Sequence, residues 1–256
     1  MAEHDESAYA AALSAGQALY PGVDIGRPGR ARTYWLSIAA LRGLRARWDV
    51  HVDGAGNVAP GAGILIGNHV SGLDPLVAVM SSWWRVTAFT KVEVFEGRGA
   101  VFFRWMGQIP LRRGDEASTQ WAMDMATRTL ASGGKVGLYP EGTRSPDPAK
   151  LHRLHKRVLI ALLHRNPDVP VYAITTTYRR RPWRRVHVQV RLSVRLPVDA
   201  RTMTADELTS VVRDALLELG GQTYVDIYAR DAKRALARGA DGSRSPTQSS
   251  DQKGSA

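Results

Sequence analysis

An α/β fold, one domain with a mixed, largely parallel sheet flanked by helices and preceded by an N-terminal amphipathic helix, is what this sequence predicts on three observations. Short apolar runs bounded by turn residues, at 64–66, 86–89 and 135–139, alternate with stretches whose apolar residues recur at helical spacing. Two of those runs are followed by polar loops, the place where ligands collect in open α/β sheets. A length of 256 residues and a hydrophobic content of 44% fit one such domain with small appendages rather than two domains.

Residues 1–30 open acidic with Glu3, Asp5 and Glu6, pass through an Ala-rich run and break at Pro21, Gly22, Gly26, Pro28 and Gly29, which reads as a flexible lead-in. Over residues 31–48 the pattern changes. Tyr34, Trp35, Ile38, Leu41, Leu44 and Trp48 recur at helical spacing among Arg32, Arg42, Arg45 and Arg47, giving an amphipathic basic helix. The main domain is expected over residues 49–238. It begins with Val50 and Val52 alternating with His51 and Asp53 before Gly54 and Gly56, a strand and a turn.

The apolar run at 64–66 is a buried strand, after which the chain turns at Asn68. Pro75, with its fixed φ and missing amide proton, fits the first turn of a helix through Leu76, Val77, Val79 and Met80. His69 therefore sits on a strand-to-helix loop with Asp74 five residues on, a spacing that lets the carboxylate meet one imidazole nitrogen while the other faces a substrate. Asp74 before Pro75 also reads as an ordinary helix cap, and one carboxylate has oxygens enough for both tasks. His69, among Asn, Ser and Gly, has no apolar face to fill.

Residues 86–89 form the next strand. In Gly107-Gln108-Ile109-Pro110-Leu111-Arg112-Arg113 the proline cannot donate to a central ladder, so this segment is an edge strand or loop that brings Arg113 toward the site. Residues 115–130 are a helix closed by Gly133-Gly134, and 135–139 a strand. Pro140-Glu141-Gly142-Thr143-Arg144-Ser145-Pro146 is then a second polar loop at a strand end, and the two loops together make a constellation that neither makes alone. Arg144 offers a forked donor that matches phosphate oxygens, and Gly142 permits close backbone approach. Arg113 reads equally as a second clamp or as a solvated neighbour of Arg112, and Glu141 as a carboxylate that orders the loop.

Farther on, residues 171–177 and 186–194 make a hairpin around an Arg-rich turn that contains Trp183. Residues 204–219 form a helix with Asp206 and Glu207 in its first turn, and another helix reaches Arg238. Gly, Ser, Asp and Gln dominate residues 239–256, a disordered tail. His152, His155 and His164 fall in what reads as a basic helix without supporting carboxylates, so no metal site is expected there.

Taken in order, these segments resemble the glycerolipid acyltransferases typified by lysophosphatidic acid acyltransferase. Asn68-His69-Val70-Ser71-Gly72-Leu73-Asp74 is similar to that family's first block, Gly107-x-Ile109-x-Leu111-x-Arg113 to its second, Pro140-Glu141-Gly142-Thr143-Arg144-Ser145 to its third and Val169-Pro170-Val171 to its fourth. The resemblance implies that His69 with Asp74 activates an acceptor hydroxyl. It further implies that Arg113, Glu141, Gly142, Thr143 and Arg144 bind the phosphate of a lysophospholipid acceptor, and that the donor is an acyl thioester, acyl-CoA or acyl carrier protein, with no cofactor. Two departures bear on substrate identity: Pro110 replaces an aromatic, and Leu154-His155-Lys156-Arg157 ends in Arg where the family has Gly.

A net charge of +11 and a pI near 10.3 call for an anionic partner: nucleic acid, anionic lipid or a phosphorylated substrate. No recognition fold for nucleic acid is identifiable, so none is expected as a partner. A membrane-bound protein with an inactive site is a third class, against which the retained His69, Asp74, Glu141 and Arg144 stand. The chain has no cysteine and no signal peptide pattern, hence the expectation of a cytoplasmic location. No apolar run is long enough to span a bilayer, so attachment is expected to be peripheral, through an anionic membrane surface and residues 31–48.

Overall fold

The computed structural model describes residues 2–43, 48–81, 84–179 and 186–242. Nine strands and eight α-helices follow one another among the described residues. They are α1 (Ala2–Leu19), α2 (Tyr34–Gly43), β1 (Trp48–Asp53), β2 (Gly63–Gly67), α3 (Asp74–Met80), β3 (Val86–Lys91), α4 (Ala100–Trp105), β4 (Ile109–Leu111) and α5 (Glu116–Ala131). Then come β5 (Lys135–Leu138), β6 (Lys150–His152), α6 (Lys156–Arg165), β7 (Val171–Arg179), β8 (Val186–Leu192), α7 (Ala205–Gly220), β9 (Thr223–Val225) and α8 (Ala229–Gly242).

Seven strands make one sheet in the order β1-β8-β7-β2-β5-β3-β4. Every pairing is parallel except that of β7 with β8, the expected hairpin. Strands β2 and β5 lie near the centre, and every residue of both is buried. Helices cover both faces, which is why these strands read as unbroken apolar runs rather than alternating ones. Ile64, Ile66, Val136 and Ala173 pack toward α5, α6 and α7, whereas Leu65, Val86, Tyr172 and Ile174 pack toward α2 and α3. Pro110 lies in β4 at the sheet edge, where its missing amide proton costs nothing.

Three expectations change. The first 30 residues are not a flexible lead-in: α1 packs on α5, and Tyr9, Tyr20, Val23 and Ile25 are core residues. The Tyr20 hydroxyl meets Ser118 Oγ at 2.6 Å and the Trp121 indole donates to the Ala12 carbonyl at 2.7 Å, so aromatic side chains fasten a segment whose composition alone looked loose. In α2 the stripe of Tyr34, Ile38 and Leu41 is buried against the domain, leaving Trp35 and Leu36 exposed. Trp48 opens β1 instead of closing that helix, while Leu44, Arg45 and Arg47 lie outside the described residues. The Arg-rich turn with Trp183 also lies outside them, and α8 extends to Gly242, into the segment expected to be tail.

Candidate active site

Register between two neighbouring strands builds the site. Ile66 of β2 stands opposite Leu138 of β5, and the strands are parallel, so the loops that follow leave the same sheet edge side by side. Three residues past that pair lie His69 on one loop and Glu141 on the other. They meet: the His69 amide donates to Glu141 Oε1 at 2.8 Å, and the Ser145 amide donates back to the His69 carbonyl at 2.6 Å. Asn68 anchors the first loop from below, taking the Thr176 amide on Oδ1 at 2.9 Å and reaching Gln222 Oε1 with Nδ2 at 3.1 Å.

His69 Nδ1 lies 2.9 Å from Asp74 Oδ2, which also accepts the amides of Val70 at 2.8 Å and Ser71 at 2.7 Å. The Tyr178 hydroxyl donates to the other oxygen, Oδ1, at 2.8 Å. Asp74 is fully buried, with both oxygens satisfied. This arrangement fixes the neutral imidazole with its proton on Nδ1 and its lone pair on Nε2, the form a general base needs. The imidazole stacks on Tyr139, centroids 4.7 Å apart, and retains partial exposure. Burial, reinforced by the charge of Asp74, raises the pKa of both tyrosines, so Tyr178 stays a donor at neutral pH. Asp74 is not the cap expected of it: it occupies the first helical position, Leu73 precedes it as the cap residue, and its carboxylate folds the loop back on itself. Ser71 Oγ receives the Leu73 amide at 3.2 Å.

On the second loop Glu141 is fully buried and faces inward, its Oε2 accepting the His152 amide at 3.1 Å. Burial pushes its pKa up to about 7, against the pull of the two amides. That orientation corrects the expectation that Glu141 touches an acceptor, since the side chain is fully buried and each oxygen holds a backbone amide. Gly142 has φ 68°, and a Cβ on it would meet the His155 ring at 2.7 Å, so only glycine fits. Its carbonyl accepts from Arg113 Nη2, which brings the second clamp candidate to the loop. Thr143 Oγ1 receives Lys233 Nζ at 3.3 Å. Arg144 lies across from the first loop, its Nη1 3.4 Å from where a Cβ on Gly72 would stand.

Beside Tyr139 a narrow apolar cleft runs between α3 and the sheet, lined by Pro75, Val79, Ala88, Gly137 and Ile174 among others. His152 and His155 do not lie in a helix as expected. His152 ends β6, and His155 precedes α6 and stacks on Tyr228.

Residues 49–177, half of the chain, match the family model Acyltransferase. The chain belongs to the Acyltransferase family. Among solved structures, this acyltransferase is similar to the 1-acyl-sn-glycerophosphate (LPA) acyltransferase PlsC from Thermotoga maritima, at 21% identity and a TM-score of 0.55, covering 78% of this chain and 80% of that one. That likeness concerns the fold. No curated protein matches this chain.

Sequence reading missed two contributors to the site of this acyltransferase. Tyr178 is a strand residue in a basic context, and only the approach of β7 to β2 puts its hydroxyl on Asp74. Lys233 belongs to α8, beyond the matched residues, and nothing local marks it.

Proposed function

We propose that this acyltransferase moves a fatty acyl group from an acyl thioester to the free hydroxyl of a 1-acylglycerol 3-phosphate, giving phosphatidic acid for phospholipid biosynthesis. The observation that carries the reading is a base beside a cation cradle: His69, held by Asp74, faces the loop that carries Arg144 and whose Gly142 carbonyl receives Arg113 from the segment after β4. A phosphate anchored on the cradle leaves the glycerol hydroxyl to meet Nε2 of His69. Nε2 takes the hydroxyl proton as the oxygen attacks the thioester carbonyl. The tetrahedral adduct then collapses with cleavage of the C–S bond, and the imidazolium returns its proton to the departing thiolate. Asp74 stabilises the imidazolium between these steps.

Attack is direct, without an acyl-enzyme, because His69 activates the acceptor hydroxyl itself; Ser71, whose Oγ receives the Leu73 amide, is the rival nucleophile. The expected kinetics are those of a ternary complex; a stable acyl adduct on Ser71 overturns this mechanism. Acyl-CoA and acyl carrier protein both fit the thioester role, and the reaction needs no further cofactor.

The lipid acceptor calls for a site at a membrane surface, and we place the enzyme peripherally on the cytoplasmic face. Exposed Trp35 and Leu36 of α2 and Val101 and Trp105 of α4 support this, and Thr33, just before α2, donates from Oγ1 to the Trp105 carbonyl at 3.0 Å. Among the described residues no helix is long and apolar enough to cross a membrane. Co-sedimentation with anionic liposomes is expected to fall with salt and to be lost in Trp35→Asp/Trp105→Asp. Retention after a high-salt carbonate wash refutes the peripheral placement.

A panel of acyl thioesters and hydroxyl acceptors with purified enzyme, His69→Ala as control, tests the whole reading. Expected is preference for 1-acylglycerol 3-phosphate over 1-acylglycerol. Equal use of both, or activity only on a phosphate-free polyol, overturns it.

A further inference from the structure

Helix α8 lies outside the family-matched residues, yet a dense set of contacts fixes its start against the Glu141 loop. Strand β9 pairs in parallel with β6, Leu151 opposite Tyr224. Arg153 grips Asp226 through Nε and Nη2, at 2.8 and 2.6 Å, and its amide donates to the Ile227 carbonyl at 3.1 Å. The His155 ring lies flat on Tyr228, centroids 4.4 Å apart and planes 7° from parallel, and Ala229 is fully buried. Because His155 also abuts Gly142, the first turn of α8 is tied to the loop that carries Thr143 and Arg144.

Arg230 and Lys233 are three residues apart on α8, hence on one face of the helix. Lys233 Nζ reaches Thr143 Oγ1 at 3.3 Å. Burial, then the charges of Arg144, Lys91 and Arg113, makes it harder for Lys233 to hold its proton; burial and then Arg230 act likewise on Arg113. Elsewhere the chain pairs its cations readily, Arg153 with Asp226, Arg201 with Asp168 and Arg30 with Asp5 and Glu6. Among the described residues Lys91, Arg113, Arg144, Arg230 and Lys233 have no carboxylate within ion-pairing distance. Two carboxylates act on the group from farther off: Glu93 on Arg113, and Glu141, which gives both oxygens to amides, on Lys233. Gathered cations repel one another, and a phosphate dianion seated among them relieves that repulsion.

We infer that Lys233 and Arg230 bind a substrate phosphate together with Arg144 and Arg113, so that α8 is a wall of the substrate site. The inference rests on the function proposed above and extends it to residues beyond the matched region. The phosphate has two available sources, the glycerol phosphate of the acceptor and the nucleotide phosphates of a coenzyme A donor. Arg144, at the edge of the His69 loop, favours the first.

Kinetics of Lys233→Gln, Arg230→Gln and the double variant decide it, with 1-acylglycerol 3-phosphate against 1-acylglycerol as acceptors and acyl-CoA against an acyl pantetheine thioester as donors. Expected for Lys233→Gln is a roughly tenfold rise in KM for the phosphorylated acceptor, a much smaller change in kcat, and recovery in Lys233→Arg. A rise confined to acyl-CoA and absent for the pantetheine thioester also supports phosphate binding by α8 and assigns it to the donor. Binding of glycerol 3-phosphate, followed by calorimetry, reads the acceptor arm without turnover, and thermal melts check that each variant is folded. If wild type prefers phosphorylated substrates and the folded double variant keeps that preference unchanged, α8 is not part of the site. If wild type shows no such preference, the proposed function itself fails, a result read before any variant is made.

Discussion

The two loops that meet at the site are built on opposite electrostatic plans. The His69 loop contains its own charge: Asp74 is surrounded by an imidazole, two amides and a hydroxyl, and only Nε2 of the histidine is left to act. The Glu141 loop turns its carboxylate inward to brace the backbone and leaves its cationic neighbours without a carboxylate partner. A reacting group must stand in one tautomer and one pose, so it is saturated with partners. A binding surface for an anion must stay unsatisfied until the anion arrives.

The sharpest break in that contrast is His69→Ala, which removes the reacting atom and leaves the cradle. Turnover is expected to fall by roughly 100-fold or more with the melting temperature and acceptor affinity little changed. Asp74→Asn is expected to approach that loss through the wrong tautomer, while also lowering stability because it weakens the acceptor for two loop amides; a melt and a turnover assay separate the effects.

Arg144→Lys probes the other plan, keeping charge and removing the fork. The acceptor KM is expected to rise about tenfold with the donor KM nearly constant. Should kcat fall as much while KM stays constant, the two loops are not divided as described. Tyr178→Phe deletes one partner of Asp74 and is expected to lower kcat severalfold, since Oδ1 loses its donor while the Oδ2 contacts persist.

A pH slope in stability tests how the Glu141 loop is braced. Glu141 has its folded pKa raised by burial from 4.5 to about 7, so between those values the folded protein binds a proton that the unfolded chain has released. Stability is therefore expected to decline as pH rises from about 4.5 to about 7, by at most about 1.4 kcal/mol per unit from this group. Glu141→Gln, which does not titrate, is expected to flatten that decline in denaturant titrations at several pH values. An unchanged slope means that Glu141 is charged throughout.

Much of this was legible in the sequence because it depends on short-range signals. Glycine-bounded apolar runs marked β2 and β5, Pro110 marked an edge, and the turn chemistry at residues 68–75 and 140–146 marked both loops. What escaped depends on contacts between distant segments. Tyr9 and Tyr20 turn an Ala-rich stretch into part of the core only because α5 offers partners, and Lys233 enters the site only because β9 is held by β6. The apolar stripe of α2 is equally compatible with lipid and with protein, and burial of Tyr34, Ile38 and Leu41 decides for protein.

The sheet order also sets a timetable. Strand β1 pairs with β8, Trp48 facing Val186, and β2 pairs with β7, Ile64 facing Val171. A ribosome adding roughly 5–20 residues per second delivers β8 on the order of ten seconds after β1. Until then the edge strand β1 waits without its ladder partner, and the apolar strand β2 has one side open until β7 is made. Such long loop closures slow folding and expose strand edges to other chains, so refolding yield is expected to drop with protein concentration more steeply than for a helical bundle of equal length.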